Sequence, residues 1–275
     1  MATLTTPAPI RDLQRALYLR AKKEPRFRAY ALYDKVYRPD ILVHAYALAK
    51  ANGGAPGPDG VTFEEIEASG RSMLLEELRE ELKTKTYRPG PVRRVYIPKL
   101  NGGERPLGIP NIRDRVVQTA VKLLLEPLFE ADFEPDSYGF RPKRAAHDAL
   151  DAIRAALHEG MCWVIDADVT AYFDTIPHDR LMTTVAQRVV DSAMLALVKR
   201  FLEAPIVDER DGGRPRCAQQ GTPQGGVISP LLANVYLHLL DRNFRKRVQR
   251  GDLQGRLVRY ADDCAPRRRR EETVM

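Results

Sequence analysis

Two short acidic segments carry the chemistry this sequence can do. The first reads Val164-Ile165-Asp166-Ala167-Asp168-Val169-Thr170-Ala171-Tyr172-Phe173-Asp174, and the second Arg259-Tyr260-Ala261-Asp262-Asp263. Each follows an apolar run that reads as a strand ending in carboxylates. Carboxylates gathered at a strand end repel one another and destabilise the fold unless a cation sits among them. Mg²⁺ takes oxygen ligands and binds through a few carboxylates together with substrate phosphates. Two such ions can clamp the attacking and leaving oxygens of a phosphoryl displacement. The alternative is a solvated turn with paired acids, which is the commoner meaning of an isolated Asp-Asp pair.

The elements that must position these groups follow from periodicity and punctuation. Apolar spacing predicts helices over Leu13 to Lys22, Ile41 to Ala51 and Met73 to Leu82. Thr62 with Glu65 resembles a capping box, and Ser69 is a second candidate cap. Asn111 to Phe129 is the strongest helix, with Val117, Val121, Leu124 and Leu128 on one stripe. Further helices are expected over Asp148 to Leu157, Leu181 to Leu202 and Pro230 to Gln249. Arg93 to Leu100 and Arg105 to Ile109 read as strands joined at Asn101-Gly102-Gly103. Cys162 to Asp166 reads as a buried strand with Trp163 in the core. Asp208 to Arg216 suits a hairpin tip, and Leu257 to Ala261 a short strand. Strands and helices mix without a steady βαβ rhythm, so the fold class is α+β.

The 275 residues suffice for one large domain or two small ones, and 44% hydrophobic with 29% charged residues excludes a disordered chain, a collagen or a coiled-coil rod. No run approaches the length of a membrane-spanning helix, so no membrane partner is expected. The N-terminus lacks a signal-peptide layout, and a cytoplasmic location is expected. Three distant cysteines without a CxxC pair argue against a zinc or disulfide framework as the organising device. The net charge is +7, unevenly placed: residues 86–115 hold 7 basic and 2 acidic side chains, residues 116–239 hold 12 and 17, and residues 240–275 hold 11 and 6. Basic stretches flanking an acidic middle suit a nucleic-acid enzyme with metal-binding carboxylates, or a solvated surface with chance clustering.

Read together, the blocks resemble reverse transcriptases, specifically those encoded by group II introns. Tyr260-Ala261-Asp262-Asp263 is similar to that family's catalytic box. Asp168 to Phe173 is similar to its first carboxylate motif. Gln220-Gly221-Thr222-Pro223-Gln224-Gly225-Gly226-Val227-Ile228-Ser229-Pro230 resembles the long motif between them. Tyr96 to Lys99 with Arg105 to Pro110 resembles the fingers hairpin, Ser137 to Pro142 the next block, and Gly57 to Val61 the N-terminal extension. The resemblance implies a right-hand polymerase fold. Residues 1–85 would form a helical, RNA-contacting extension, 86–160 the fingers with some palm elements, and 161–264 the palm. It implies that Asp168, Asp262 and Asp263 are catalytic and hold two Mg²⁺ ions, for which Mn²⁺ can substitute, with the Val169 carbonyl as a further ligand. Lys99 and Arg105 would grip the triphosphate, Gln224 and Gly225 would line the nucleotide pocket, and Phe173 would exclude a 2′-hydroxyl. The implied partners are RNA template, intron RNA, DNA primer and dNTP. Phe173 can equally be a core aromatic, and Arg141 a template contact or a structural residue. Asp166 and Asp174 read as helpers, surface acids or caps, and His178 as a loop residue with a weak claim to general-base work.

The chain departs from the family after Cys264. Pro266 and Arg267 to Arg270 are expected to be incapable of forming a buried strand partner, which makes 265–275 a tail outside the resemblance. Fingers and an incomplete palm with the thumb missing imply a truncated or frame-shifted polymerase of low or no activity. A non-catalytic intron-RNA-binding fragment, or a relative of retron or CRISPR-associated reverse transcriptases, is the alternative.

Overall fold

The structure, a computed structural model, describes residues 4–98, 102–169 and 171–268. Among them the strands are β1 (Val92–Pro98), β2 (Glu104–Ile109), β3 (Trp163–Val164), β4 (Ala167–Asp168), β5 (Pro205–Asp208), β6 (Arg216–Cys217), β7 (Arg256–Tyr260) and β8 (Asp263–Arg268). They form two sheets, one ordered β2-β1-β5-β6, the other with β8 paired to β7 on one side and to β3 and β4 on the other. The chain folds as two compact units interleaved along the sequence. The first comprises Met1–Ala131 and Phe173–Ser229, the second Asp132–Tyr172 and Pro230–Met275. The mixture of helices and short sheets is the expected α+β architecture.

The first unit is organised by the helix Ile112–Glu130. Burial extends beyond the predicted stripe to Val116, Ala120 and Leu125, because the helices Ala8–Lys23 and Pro39–Asn52 both pack against it. A helix apolar on most sides belongs inside a unit rather than on its face. Thr62 and Glu65 do form the capping box: the Thr62 N–H donates to Glu65 Oε2 at 2.8 Å and the Glu65 N–H to Thr62 Oγ1 at 3.2 Å. Ser69 caps nothing; its hydroxyl donates back to the Glu65 carbonyl, and Gly70 starts the next helix, Arg71–Lys83.

The single helix expected over Leu181 to Leu202 is two, His178–Val185 and Ser192–Leu202. The chain opens between them because Ala29 exchanges backbone hydrogen bonds with Arg188 and Val190. Asp191 closes the gap. Its carboxylate accepts from Ala193 and Met194 as an N-cap, and from Leu32 and Tyr33 at 2.8 Å each. Burial alone would raise the Asp191 carboxyl, but these four N–H donors carry it below the ordinary carboxylate range.

In the second unit, Tyr138, Ala149, Ala152 and Val258 form a small core with Ile153. Two expectations fail here. The strand around Trp163 is exposed, with Trp163 itself 62% accessible; apolar composition does not say whether another element covers a face. And β8 does form, through Pro266 and Arg267. Backbone pairing is made by main-chain groups and does not require apolar side chains. The proline leaves its mark as a gap. Along β8 the pairs Asp168↔Asp263, Ala167↔Cys264, Val164↔Arg267 and Trp163↔Arg268 lie in one continuous register, and the ladder is interrupted opposite Pro266, dividing β3 from β4. A residue without an N–H belongs at such an interruption.

Replacing Asp191 by Ala is expected to cost about 2–4 kcal/mol in urea unfolding, from a lost cap and two further hydrogen bonds to a carboxylate. A second test concerns His238, whose Nδ1 is buried without a hydrogen-bond partner and whose ring meets Phe133 edge-on at 5.8 Å. Burial holds its pKa below the ordinary value. The neutral ring therefore contributes stability that is fully present above the unfolded pKa of about 6.5 and is lost as pH falls from there through the folded pKa. Urea midpoints measured across that range should drop with acidification, and His238→Phe should flatten this part of the profile.

Candidate active site

The carboxylates expected to be catalytic lie together in the second unit. Asp168, the last residue of β4, faces Asp263, the first residue of β8, as a direct cross-strand pair. Asp263 in turn pairs with Tyr260 of β7, so Ala261-Asp262 is the two-residue turn between the strands. Cross-strand neighbours have their side chains close on one face. Partial burial raises the Asp263 carboxyl, and the charges of Asp262, Asp168 and Asp166 raise it further. Asp166, read from sequence as a bystander, thus adds to the local negative field. The Val169 carbonyl accepts from the Tyr172 N–H at 3.2 Å. The Tyr172 hydroxyl donates to the Ala233 carbonyl at 2.8 Å and anchors the end of this segment to the helix Ser229–Arg250.

Among the described residues no three His, Cys, Asp or Glu side chains are gathered into a cage that would hold an ion alone. The donors present are all carboxylate and carbonyl oxygens, which is the ligand chemistry Mg²⁺ takes when it shares its shell with phosphates and water. The residues therefore fit that ion in kind.

What holds the turn was not foreseen from sequence. Arg259, the residue before Tyr260, is 0% exposed, and each of its five N–H donors has an acceptor. Its Nε donates to Asp241 Oδ1 at 2.9 Å and one Nη2 hydrogen to Asp241 Oδ2 at 2.7 Å. The other Nη2 hydrogen meets the Ser137 hydroxyl at 2.6 Å. Nη1 donates to Asn234 Oδ1 at 2.9 Å and to the carbonyl of Ala261, inside the turn, at 2.7 Å. Asn234 passes the connection on, its Nδ2 donating to the Gly139 carbonyl at 2.8 Å. Ala261 adopts φ +57°, a conformation costly for a residue with a Cβ. Gly139 packs directly beneath: a Cβ there would lie 2.2 Å from the Ala261 nitrogen, so glycine is required by close approach. A charged residue inside an otherwise apolar strand, Leu257-Val258-Arg259, was the available signal.

The residues expected to bind nucleotide lie in the first unit. Arg105 is exposed on β2, and its Nε donates to Gln224 Oε1 at 2.9 Å. Gln224 Nε2 donates to Asp174 Oδ2 at 3.1 Å, and the Gln224 carbonyl accepts from the Gly108 N–H. Gly225 sits at φ +104° with the Gly108 carbonyl 2.4 Å from where a Cβ would be, which excludes any other residue. Phe173 is 6% exposed, so its ring is fixed in the interior, and its carbonyl accepts from the Thr222 N–H at 2.6 Å. Lys99 lies outside the described residues.

Other expectations resolve as follows. Arg141 is 7% exposed and donates to the carbonyls of Glu134 and Ser137 at 2.7 and 2.6 Å while lying over the Phe133 ring, which is a structural role. His178 is not in a loop but opens the helix His178–Val185, with Nε2 at 2.7 Å from the Gly221 carbonyl.

Comparison with known proteins points the same way. The family model described as reverse transcriptase (RNA-dependent DNA polymerase) matches residues 97–272, past Cys264 and through β8. Protein YkfC of Escherichia coli (strain K12) is 40% identical over 250 residues, 88% of this chain and 64% of that protein. Group II intron-encoded protein LtrA of Lactococcus lactis subsp. cremoris is 38% identical over 212 residues, 77% of this chain and 34% of that protein. The chain thus spans under two thirds of either relative. A solved structure described as a partial Cas6-RT-Cas1–Cas2 complex shares the fold, with TM-score 0.52 and 20% identity over 88% of this chain and 39% of that one.

Removing the Arg259 side chain would strand the Asp241 carboxylate in the interior. Arg259→Met is expected to cost about 3–5 kcal/mol in urea unfolding, and a second change, Asp241→Leu, should restore part of that loss.

Proposed function

Because the chain belongs to the reverse transcriptase (RNA-dependent DNA polymerase) family and has group II intron-encoded relatives, we propose that it is the RNA-directed DNA polymerase of a group II intron. The reaction joins a primer 3′-hydroxyl to the α-phosphate of a dNTP opposite an RNA template and releases pyrophosphate. The supporting observation is the pairing of Asp168 with Asp263 across β4 and β8, beside Asp262 in the turn.

Asp168, Asp262, Asp263 and the Val169 carbonyl would hold two Mg²⁺ ions, with Mn²⁺ as a substitute. When bound, these ions neutralise charge developing on the phosphate oxygens and favour ionisation of the attacking hydroxyl. The chain's own residues bind and orient. Lys99 and Arg105 pair with the triphosphate, for which a guanidinium offers directed, charge-assisted donors. Gln224 and Gly225 line the pocket, where the absence of a Cβ at Gly225 lets the loop lie against the Gly108 carbonyl and so sets where Gln224 stands. The wall against a 2′-hydroxyl is assigned to the small exposed edge of the otherwise buried Phe173. Positioning and electrostatic stabilisation supply most of the acceleration in phosphoryl transfer. The basic N-terminal region would contact intron RNA in a maturase role, with affinity that falls as salt rises because phosphate contacts release counterions.

The test is primer extension on a homopolymer RNA template with a DNA primer, Mg²⁺ and the full chain. Weak template-directed extension is expected, and Asp262→Ala should abolish it. A folded chain that extends no primer, or extension that survives in the variant, would refute the polymerase reading.

A further inference from the structure

Gln224 stands between an anion and a cation. On one side its Nε2 donates to Asp174 Oδ2 at 3.1 Å; on the other its Oε1 accepts from Arg105 Nε at 2.9 Å. Only one orientation of the amide satisfies both. An ionised carboxylate only accepts hydrogen bonds and a guanidinium only donates them, so the NH₂ group must face Asp174 and the oxygen must face Arg105. Flipping the amide would put oxygen against oxygen and N–H against N–H. The carboxylate of Asp174 therefore sets which atom Gln224 presents to the arginine.

Both ends of this chain of bonds are fixed by backbone. Gln224 is tied to β2 through the Gly108 N–H, while the Thr222 N–H donates to the Phe173 carbonyl and the Gly221 N–H to the Ile176 carbonyl at 2.7 Å. Gly221, at φ +86°, packs so closely on Asp174 that a Cβ would lie 2.7 Å from its carbonyl oxygen. The segment carrying Asp174 and the loop carrying Gln224 thus move as one piece. Arg105, by contrast, is exposed, and Gln224 takes only its Nε–H. Among the described residues nothing accepts from its four Nη hydrogens, and that edge of a guanidinium is the one that pairs with phosphate oxygens in a bidentate fork.

We propose that Asp174 is a positioning residue of the nucleotide subsite: acting through Gln224, it holds Arg105 with its Nη edge turned to the triphosphate. This rests on the assignment of Arg105 to the triphosphate made above. It separates Asp174 from the metal-binding aspartates although it lies in the same sequence segment. It also gives Gln224 a second task beside lining the pocket, because no other uncharged side chain of that length offers a donor to the carboxylate and an acceptor to the guanidinium.

Two measurements on the full chain test it: the Arg105 Nε–Hε resonance by NMR, and calorimetric titration with dATP and Mg²⁺. In the parent chain the Nε–H should be shifted downfield and exchange slowly. Asp174→Ala should abolish both properties and weaken dATP about tenfold, the loss of one hydrogen bond in a charged chain. Gln224→Met should do the same, and the double variant should be no worse than either single change, because both act on one connection. Asp174→Asn keeps an acceptor and should fall between. Unfolding midpoints close to the parent's would exclude general damage. An Arg105 Nε–H indifferent to Asp174, or losses of affinity that add in the double variant, would overturn the proposal. An Nε–H that answers to Asp174 in a chain that takes up no dATP would overturn the nucleotide assignment while leaving the Asp174–Gln224–Arg105 relay intact.

Discussion

A guanidinium shut away from water must find an acceptor for every N–H it carries, and the second unit is built around meeting that requirement for Arg259. Its partners come from three separated pieces of chain: Ser137, the helix positions Asn234 and Asp241, and the turn residue Ala261. Each acceptor is in place only when its own piece of backbone is in place. The backbone of Arg259 adds two more ties, donating to the Asp136 carbonyl and accepting from the Tyr138 N–H at 2.9 Å each. The arrangement fixes the hairpin turn by which Asp262 and Asp263 reach Asp168. Carboxylates that repel one another are held in place by a buried cation that is not their counterion. Its charge is matched by Asp241, which takes the Nε hydrogen and one Nη2 hydrogen.

The two units use glycine for the same physical end. At Gly139 the missing Cβ lets one segment lie against the Ala261 backbone; at Gly225 it lets the loop lie against the Gly108 carbonyl. In both places a functional segment is pressed onto backbone rather than onto side chains. Backbone contact has no rotamers to rearrange, so the distance is set once the strand is set. A methyl group at either position would displace the very residues to which chemistry is assigned.

Much of this was legible in the sequence because it is local. The capping box at Thr62 and Glu65, the β1–β2 hairpin around Gly102 and Gly103, and the pairing of an acidic strand end with an Asp-Asp turn all depend on residues a few positions apart or on ordered motifs. What failed depended on distant partners. The helix break before Asp191 is made by Ala29, Leu32 and Tyr33, which nothing near Asp191 announces. Trp163 was placed in the core from its type, yet no described element covers it. Pro266 and Arg267 to Arg270 were taken to be incapable of a buried strand partner, whereas β8 pairs through Pro266 and Arg267, with an interruption between β3 and β4. Arg259 looked like one more basic residue because Asp241, Asn234 and Ser137 are spread over a hundred positions of sequence.

The contrast between Arg259 and Arg105 shows why net charge says little about what such a chain binds. Both count equally toward the +7 total. Arg259 has all five donors engaged by the protein and exposes none of its surface, so its charge contributes to architecture and offers a ligand no hydrogen bond. Arg105 is exposed, and among the described residues it gives a single donor, to Gln224. The same holds for the carboxylates: Asp241 and Asp174 are committed to partners within their own units, while burial and the like charges of Asp262, Asp168 and Asp166 raise the Asp263 carboxyl. Availability, set by how many donors or acceptors the fold leaves unspent, separates a charged residue that builds the site from one that can act in it.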